Sequence, residues 1–274
     1  VYPGGVVATN RVGDEVILKG ENITLSFGGI TALMGVNFSV KRGEVFSIIG
    51  PNGAGKSSIY NVINGFYHPQ HGKVIFKDKE ITHLKPFQIA RLGIARSFQN
   101  IELFKNMTVL ENMMLGRHIH IKYGLFASML YFGPGRKEEV KHRKRVEDVI
   151  DFLEIEHIRK KHVGTLSYGL QKRVEMARAL CLEPEILLLD EPMAGMNLEE
   201  TEDMCRFIVD VNTEWGVTVL LIEHDMGVVM DLSDRMMVLD FGESIAEGTP
   251  EEIQQNEQVA KAYLGDSDGV FLGR

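Results

Sequence analysis

Nine consecutive residues, Gly50-Pro51-Asn52-Gly53-Ala54-Gly55-Lys56-Ser57-Ser58, have the types and spacing of a phosphate-binding loop. The glycines let successive backbone N–H groups curl around an anion without Cβ clashes, and a helix N-terminus behind them adds donors and a favourable dipole. Lys56 is placed to reach the β- and γ-phosphates of a nucleotide, and the Ser57 hydroxyl to complete a Mg²⁺ shell. The flanks suit this reading. Val45-Phe46-Ser47-Ile48-Ile49 is an apolar run expected to form a buried strand, and Ile59, Val62, Ile63 and Phe66 recur at helical spacing.

Other groups gain meaning beside that loop. Ile186-Leu187-Leu188-Leu189 reads as a short buried strand that stops at Asp190-Glu191-Pro192. Carboxylates at the C-terminal end of a parallel strand sit where open α/β sheets bind ligands, so Asp190 is expected to hold Mg²⁺ and Glu191 to orient an attacking water. Val217 to Ile222 is a further strand, and Glu223-His224-Asp225 brings His224 to the same edge. In Arg96-Ser97-Phe98-Gln99-Asn100 a strand gives way to a loop, where Gln99 taken alone reads as a surface residue. Ser167, in Leu166-Ser167-Tyr168-Gly169-Leu170, suits the N-cap of a helix whose stripe is Leu170, Val174, Ala177 and Cys181, and an exposed N-cap is also an anion site. Phe27 reads either as a core strand residue or as a ring to stack on an adenine.

The elements that must position these groups imply an α/β fold. Residues 16–40 alternate β-type runs with turn residues and suggest antiparallel strands laid beside the nucleotide fold, and 73–76 with 79–81 form a hairpin around Asp78. Residues 107–158 turn rich in Met, Leu and Glu at helical spacing. The stretch 124–135 places Leu125, Met129 and Phe132 on one face, expected to pack in the core. Residues 235–240 and 243–247 are short strands around Gly242, and 250–264 a final helix. The expected organisation is a nucleotide-binding core with an antiparallel β subdomain over 14–105 and 183–265, a helical subdomain over 106–182, and a frayed tail over 266–274.

Composition narrows the classes. A net charge of −8 argues against a nucleic-acid-wrapping surface, and the basic run 136–145 carries Glu138 and Glu139, as a solvated helix face does. The two cysteines, Cys181 and Cys205, lack metal-ligand spacing and are expected to be reduced, packed thiols. The apolar runs fall far short of the ~20 residues that cross a bilayer, so a cytosolic chain meeting a membrane only through partners is expected.

Taken together, these segments resemble the ATP-binding subunits of ABC transporters, from about Val16 to Gly265. Residues 50–58 resemble Walker A, Gln99 the Q-loop, 166–170 the signature, 186–191 Walker B with its glutamate, Ala194-Gly195-Met196-Asn197 the D-loop, and His224 the switch histidine. The core is therefore expected to be a P-loop NTPase of the RecA-like type. Within the family the chain looks closest to the branched-chain amino acid importer branch. The pointers are Arg96-Ser97-Phe98-Gln99, Met107-Thr108-Val109-Leu110-Glu111-Asn112, Tyr168, Ile222-Glu223-His224-Asp225-Met226, Glu247-Gly248-Thr249-Pro250 and Ala262-Tyr263-Leu264-Gly265. Two positions depart from the family pattern: Leu170 stands where the signature has glutamine, and Asn197 where many relatives have aspartate.

The resemblance implies ATP and Mg²⁺ as ligands, with Ser57, Gln99 and Asp190 at the metal, Phe27 and residues 50–58 on the nucleotide, and Glu191, His224 and Lys56 in catalysis. It implies that Ser167 and Gly169 reach the ATP of a second, identical or homologous, ATPase subunit, and that Gln99 couples the site to membrane permease subunits. A periplasmic or extracellular solute-binding protein completes the expected partners, and attachment to the cytoplasmic face of the membrane the expected location. A rival reading is a soluble ABC-type ATPase with a regulatory or assembly role, though such proteins tend to carry tandem cassettes or long coiled-coil insertions, which this chain lacks; a third is a P-loop kinase or GTPase, for which the sequence offers no base-reading Asn-Lys-x-Asp loop.

Overall fold

The structure is a computed structural model that describes residues 12–120 and 134–264. Its ten strands are β1 Val16–Phe27, β2 Ile30–Lys41, β3 Val45–Ile49, β4 His71–Phe76, β5 Lys79–Glu80, β6 Ile94–Ser97, β7 Ile186–Asp190, β8 Thr218–Ile222, β9 Arg235–Asp240 and β10 Glu243–Gly248 among the described residues. They form two sheets: a four-stranded one in the order β2-β1-β4-β5, and a six-stranded one in the order β10-β9-β3-β8-β7-β6. The small sheet is antiparallel throughout. In the large sheet only the β10 edge is antiparallel, and the other five strands run parallel.

Parallel strands covered on both faces are apolar along their length rather than alternating. All five residues of β3, of β7 and of β8 are buried. The period-2 pleat divides them between two cores. Leu187, Leu189, Val219 and Leu221 face a cluster with Val149, Val174 and Phe207 from the helical segments, whereas Leu188, Leu220 and Ile222 face β1, β2 and the first helix, Lys56–Ile63. A third cluster joins Ile49 to Val229, Val238, Ile253 and Val259.

Register fixes where the strands end. Ile48 of β3 and Asp190 of β7 both lie opposite Ile222 of β8, and Ser97 of β6 lies opposite Leu189. The segments that leave these strands, beginning at Gly50, Phe98, Glu191 and Glu223, therefore emerge together along one edge.

Two helix boundaries differ from the sequence reading. The first helix stops at Ile63, because Asn64 caps it and Gly65 turns left-handed at φ 72°, so Phe66 lies outside it, half exposed. The C-terminal helix is two helices, Pro250–Gln254 and Glu257–Leu264. Asn256 separates them, its Oδ1 accepting from the backbone N–H of Gln258 at 2.9 Å, which is an N-cap rather than a helix-interior role. The readings made for Leu125, Met129 and Phe132 and for 266–274 lie outside the described residues.

Cys181 and Cys205 are buried thiols outside any disulfide; burial pushes the Cys181 thiol up to about 12, so it stays protonated. Leu188, wholly buried at the middle of β7, tests the sheet core. Leu188→Ala is expected to lower the unfolding free energy by about 2–5 kcal/mol in urea titration.

Candidate functional site

The glycine loop has a backbone that side chains would disrupt. Gly50 has φ 147°, and a Cβ there would lie 2.1 Å from the Leu239 carbonyl oxygen. Gly55, the N-cap of the first helix, has φ 104°, and its Cβ would meet the Ala32 carbonyl at 2.6 Å. Gly53 is also left-handed, at φ 81°. The loop is pinned from outside by the N–H of Gly242, which donates to the Ala54 carbonyl at 3.0 Å. The eight-residue helix behind it has no acidic residue in its own first turn to offset its positive end.

Residues Asn52, Gly53, Ala54, Gly55, Lys56, Ser57 and Ser58 line a cavity of about 270 Å³ together with Gln99, Glu191 and His224. Lys56 folds back on its own loop, donating from Nζ to the carbonyls of Gly50 at 2.6 Å and Pro51 at 2.9 Å. Those carbonyls hold the ammonium beside the cradle.

Glu191 is the meeting point. It occupies the first position after β7 with φ 49°, a strained conformation for a residue with a side chain. Its N–H donates to the Ile222 carbonyl at 2.8 Å, which ties the turn to the end of β8. Its Oε1 accepts from Nε2 of His224 at 2.6 Å and its Oε2 from Nε2 of Gln99 at 2.7 Å. Three segments that are distant in sequence thus converge on one carboxylate.

Asp190 sits one residue deeper. Its Oδ2 accepts from the Arg96 guanidinium at 2.6 Å, a pair that is almost fully buried, and Arg96 also donates to Asn61 Oδ1 at 2.8 Å. Its Oδ1 is buried with no hydrogen-bond partner among the described residues. A buried lone acceptor suits a hydrated cation. Among the described residues no group of three or more His, Cys, Asp or Glu could hold a metal. The hydroxyl of Ser57 and the amide of Gln99 at this edge are oxygen donors of the kind that suits Mg²⁺.

Three groups beneath this edge escape a reading by motif. Arg96 is one. Lys172, on the helix Tyr168–Leu180, is wholly buried, and its Nζ donates to the carbonyls of Phe98 at 3.2 Å and Gln99 at 2.5 Å. Burial lowers its pKa, against the field of Glu175, Asp190, Glu223 and Glu191. Glu223 is buried, its Oε1 accepting from the Met193 N–H at 2.8 Å and its Oε2 from the His224 N–H at 3.1 Å. Burial raises its pKa, with those two N–H groups opposing. Arg96 and Glu223 left a trace in the sequence, as parts of the segments that carry Gln99 and His224, whereas Lys172 left none.

The other candidates lie apart. Ser167 caps its helix, its Oγ accepting from the Leu170 N–H at 3.4 Å, and a Cβ on Gly169 would meet Glu200 Oε1 at 2.3 Å. Neither residue lines the cavity of Lys56 and Glu191. Phe27 is 46% exposed at the end of β1, edge-on to Tyr67 with centroids 4.9 Å apart, so its ring remains accessible. Leu170 is only partly buried, and Asn197 caps the helix Leu198–Trp215 through the Glu200 N–H at 2.9 Å.

Parallel strands that end level beneath a glycine loop and a following helix define a P-loop NTPase. Residues 33–194 match the family described as ABC transporter, and 243–269 the one described as branched-chain amino acid ATP-binding cassette transporter. The chain belongs to the ATP-binding cassette family of ABC transporters. The high-affinity branched-chain amino acid transport ATP-binding protein BraF of Pseudomonas aeruginosa is 41% identical to it over 251 residues, 92% of this chain and 98% of BraF. A solved ATP-binding cassette of an ABC transporter, MJ1267 in its ADP conformation, matches with TM-score 0.80 and 36% identity over 92% of this chain and 100% of its own. MJ0796, solved as a dimer in a post-hydrolysis state with ADP and Pi, matches with TM-score 0.72 and 28% identity over 85% of this chain and 99% of its own.

The Glu223 carboxyl gives a pH signature. Its folded pKa lies above the ordinary value of 4.5, so the folded state holds its proton more tightly than the unfolded state does. Its contribution is undiminished below pH 4.5 and is lost as pH rises through the raised folded value. Wild-type stability measured relative to Glu223→Gln is therefore expected to fall across that window and then level off; denaturation at a series of pH values reads it.

Proposed function

We propose that this chain is the ATP-hydrolysing subunit of an importer for branched-chain or related amino acids. The observation that carries the reading is the Glu191 carboxylate, held by Gln99 and His224 at the rim of the cavity that Lys56 and the glycine loop also line. The substrate class rests on the relatives: BraF is by name a branched-chain amino acid transport protein, and residues 243–269 match that branch's own family.

In this reading the N–H groups of residues 52–58 and the first helix bind the triphosphate, and Phe27 stacks on the adenine. Lys56 exchanges the carbonyls of Gly50 and Pro51 for the β- and γ-phosphate oxygens. Ser57, Gln99 and Asp190 hold Mg²⁺, which supplies charge neutralisation to the phosphoryl oxygens when bound. Glu191 orients the attacking water in line and accepts its proton, while His224 stabilises charge on the γ-phosphate.

Ser167 and Gly169 act on the nucleotide of a second, identical or homologous, subunit, in keeping with their distance from this chain's own cavity and with the dimeric MJ0796. A γ-phosphate clamped from both sides is also shielded from water. The helical unit 106–182 carries the signature, and Gln99 links phosphate occupancy to permease subunits in the membrane, which receive solute from a solute-binding protein. No described helix is long and apolar enough to cross a membrane, so attachment at the cytoplasmic face runs through those permeases. Nucleic acid has no part in this reading.

Two variants test it in the purified chain. Lys56→Ala is expected to abolish nucleotide binding or turnover. Glu191→Gln is expected to cut turnover by at least about 100-fold while retaining ATP and accumulating as a dimer in light scattering. Normal turnover in the second variant would remove Glu191 from its role.

A further inference from the structure

We infer that Arg96 is a positioning residue for the metal site: by engaging one oxygen of Asp190 it fixes the carboxylate so that the other stays available to a divalent cation. The inference rests on the assignment of Asp190 to Mg²⁺. It adds a residue to which no motif gives a role.

The geometry separates Arg96 from an ordinary ion pair. The residue stands in β6 opposite Leu188 of β7, two positions before Asp190. Its side chain therefore reaches along the neighbouring strand to the end where Asp190 sits. Nη2 takes Asp190 Oδ2 at 2.6 Å, and Nη1 takes Asn61 Oδ1 of the first helix at 2.8 Å. The guanidinium lies 5.4 Å from the centroid of Tyr60 and 4.9 Å from that of Phe98, and the Tyr60 hydroxyl donates to the Leu189 carbonyl at 3.1 Å. The helix that follows the phosphate loop, the segment that carries Gln99 and the strand that carries Asp190 thus meet on one planar cation.

Both terminal nitrogens of that cation are engaged, while its Nε is buried with no partner among the described residues, so the carboxylate is gripped through Nη2 by a group that Asn61 anchors from the far side. The two oxygens of Asp190 are consequently unequal: Oδ2 accepts from Arg96, while Oδ1 is buried and has no partner among the described residues. A folded protein satisfies buried acceptors almost always, so Oδ1 is the atom that the arrangement reserves for a ligand. Outer partners of this kind orient a ligating group and tune affinity for the metal.

Two effects of Arg96 oppose each other. Its positive charge partly neutralises Asp190 and weakens attraction for a cation, whereas its grip orients the carboxylate and strengthens binding. The inference holds that orientation governs, and this sets the sign of the test. The probe is Mn²⁺, titrated into the purified chain with ADP present and followed by the loss of the free-ion electron paramagnetic resonance signal. Metal-free ADP binding and the thermal melt are measured beside it.

Arg96→Met and Arg96→Lys are each expected to weaken Mn²⁺ binding about tenfold, with metal-free ADP binding near that of the parent chain. Lysine keeps the charge but cannot span Asp190 and Asn61 with one rigid plane. A role through charge alone predicts tighter binding in Arg96→Met and no change in Arg96→Lys, and either result overturns the inference. Should Arg96→Met fail to fold, Arg96→Lys, which leaves Asp190 with a cation beside it, decides alone. Asp190→Asn separates the two levels. If it weakens Mn²⁺ while the Arg96 variants do not, the inference fails and the metal assignment stands; if it changes nothing, the assignment fails and takes the inference with it.

Discussion

The parallel pairing of β3, β8, β7 and β6 is the constraint on which the site depends. Because Ile48 and Asp190 share Ile222 as a register partner, and Ser97 lies opposite Leu189, the chain leaves these strands at a common height. A one-residue slip in any pair would turn its apolar residues to the opposite face and withdraw its chemical group from the edge. The two cores on either side of the sheet oppose such a slip, since alternate residues of β7 and β8 are committed to different clusters. Packing and chemistry are thus specified by the same register.

Above that edge the polar groups are paired, but with partners that a bound nucleotide can replace. Lys56 rests on the carbonyls of its own loop, and Gln99 and His224 both rest on Glu191. The left-handed backbone of Glu191 carries strain that the pairing with Ile222 and the buried turn sustain. Beneath the edge, the interactions of Arg96 with Asp190, Lys172 with the Gln99 loop, and Glu223 with Met193 and His224 are buried. Leaving any of these charges without its partner is costly, so they form a stiff base under a rim whose contacts exchange.

Much of this was legible in the sequence because it depends on local chemistry. Glycines at 50, 53 and 55 announce a left-handed cradle, and apolar runs that end in Asp190-Glu191 and in His224 announce strand ends on a ligand edge. The antiparallel strands were legible in the alternating runs of residues 16–40, and the ABC family with its P-loop NTPase core in the resemblance that the assembled motifs carry. What stayed hidden depends on side-chain partners far apart in the chain. Nothing near Lys172 in sequence points to the carbonyls of Phe98 and Gln99, and Arg96 has no motif that names Asp190 as its partner. The helix ends at Gly65 and Asn256 were also missed, because apolar periodicity continues past residues whose capping role only backbone geometry exposes.

The function of this edge turns on where a nucleotide goes and what it displaces. A crystal structure of the chain grown with ATP and Mg²⁺ reads this as one distance, from Lys56 Nζ to the nearest phosphate oxygen. The account predicts that the ammonium leaves the carbonyls of Gly50 and Pro51 for the β- and γ-phosphates, with Glu191 facing the terminal phosphate. A triphosphate bound away from the glycine loop, or a Lys56 still on those carbonyls beneath a bound nucleotide, would contradict it.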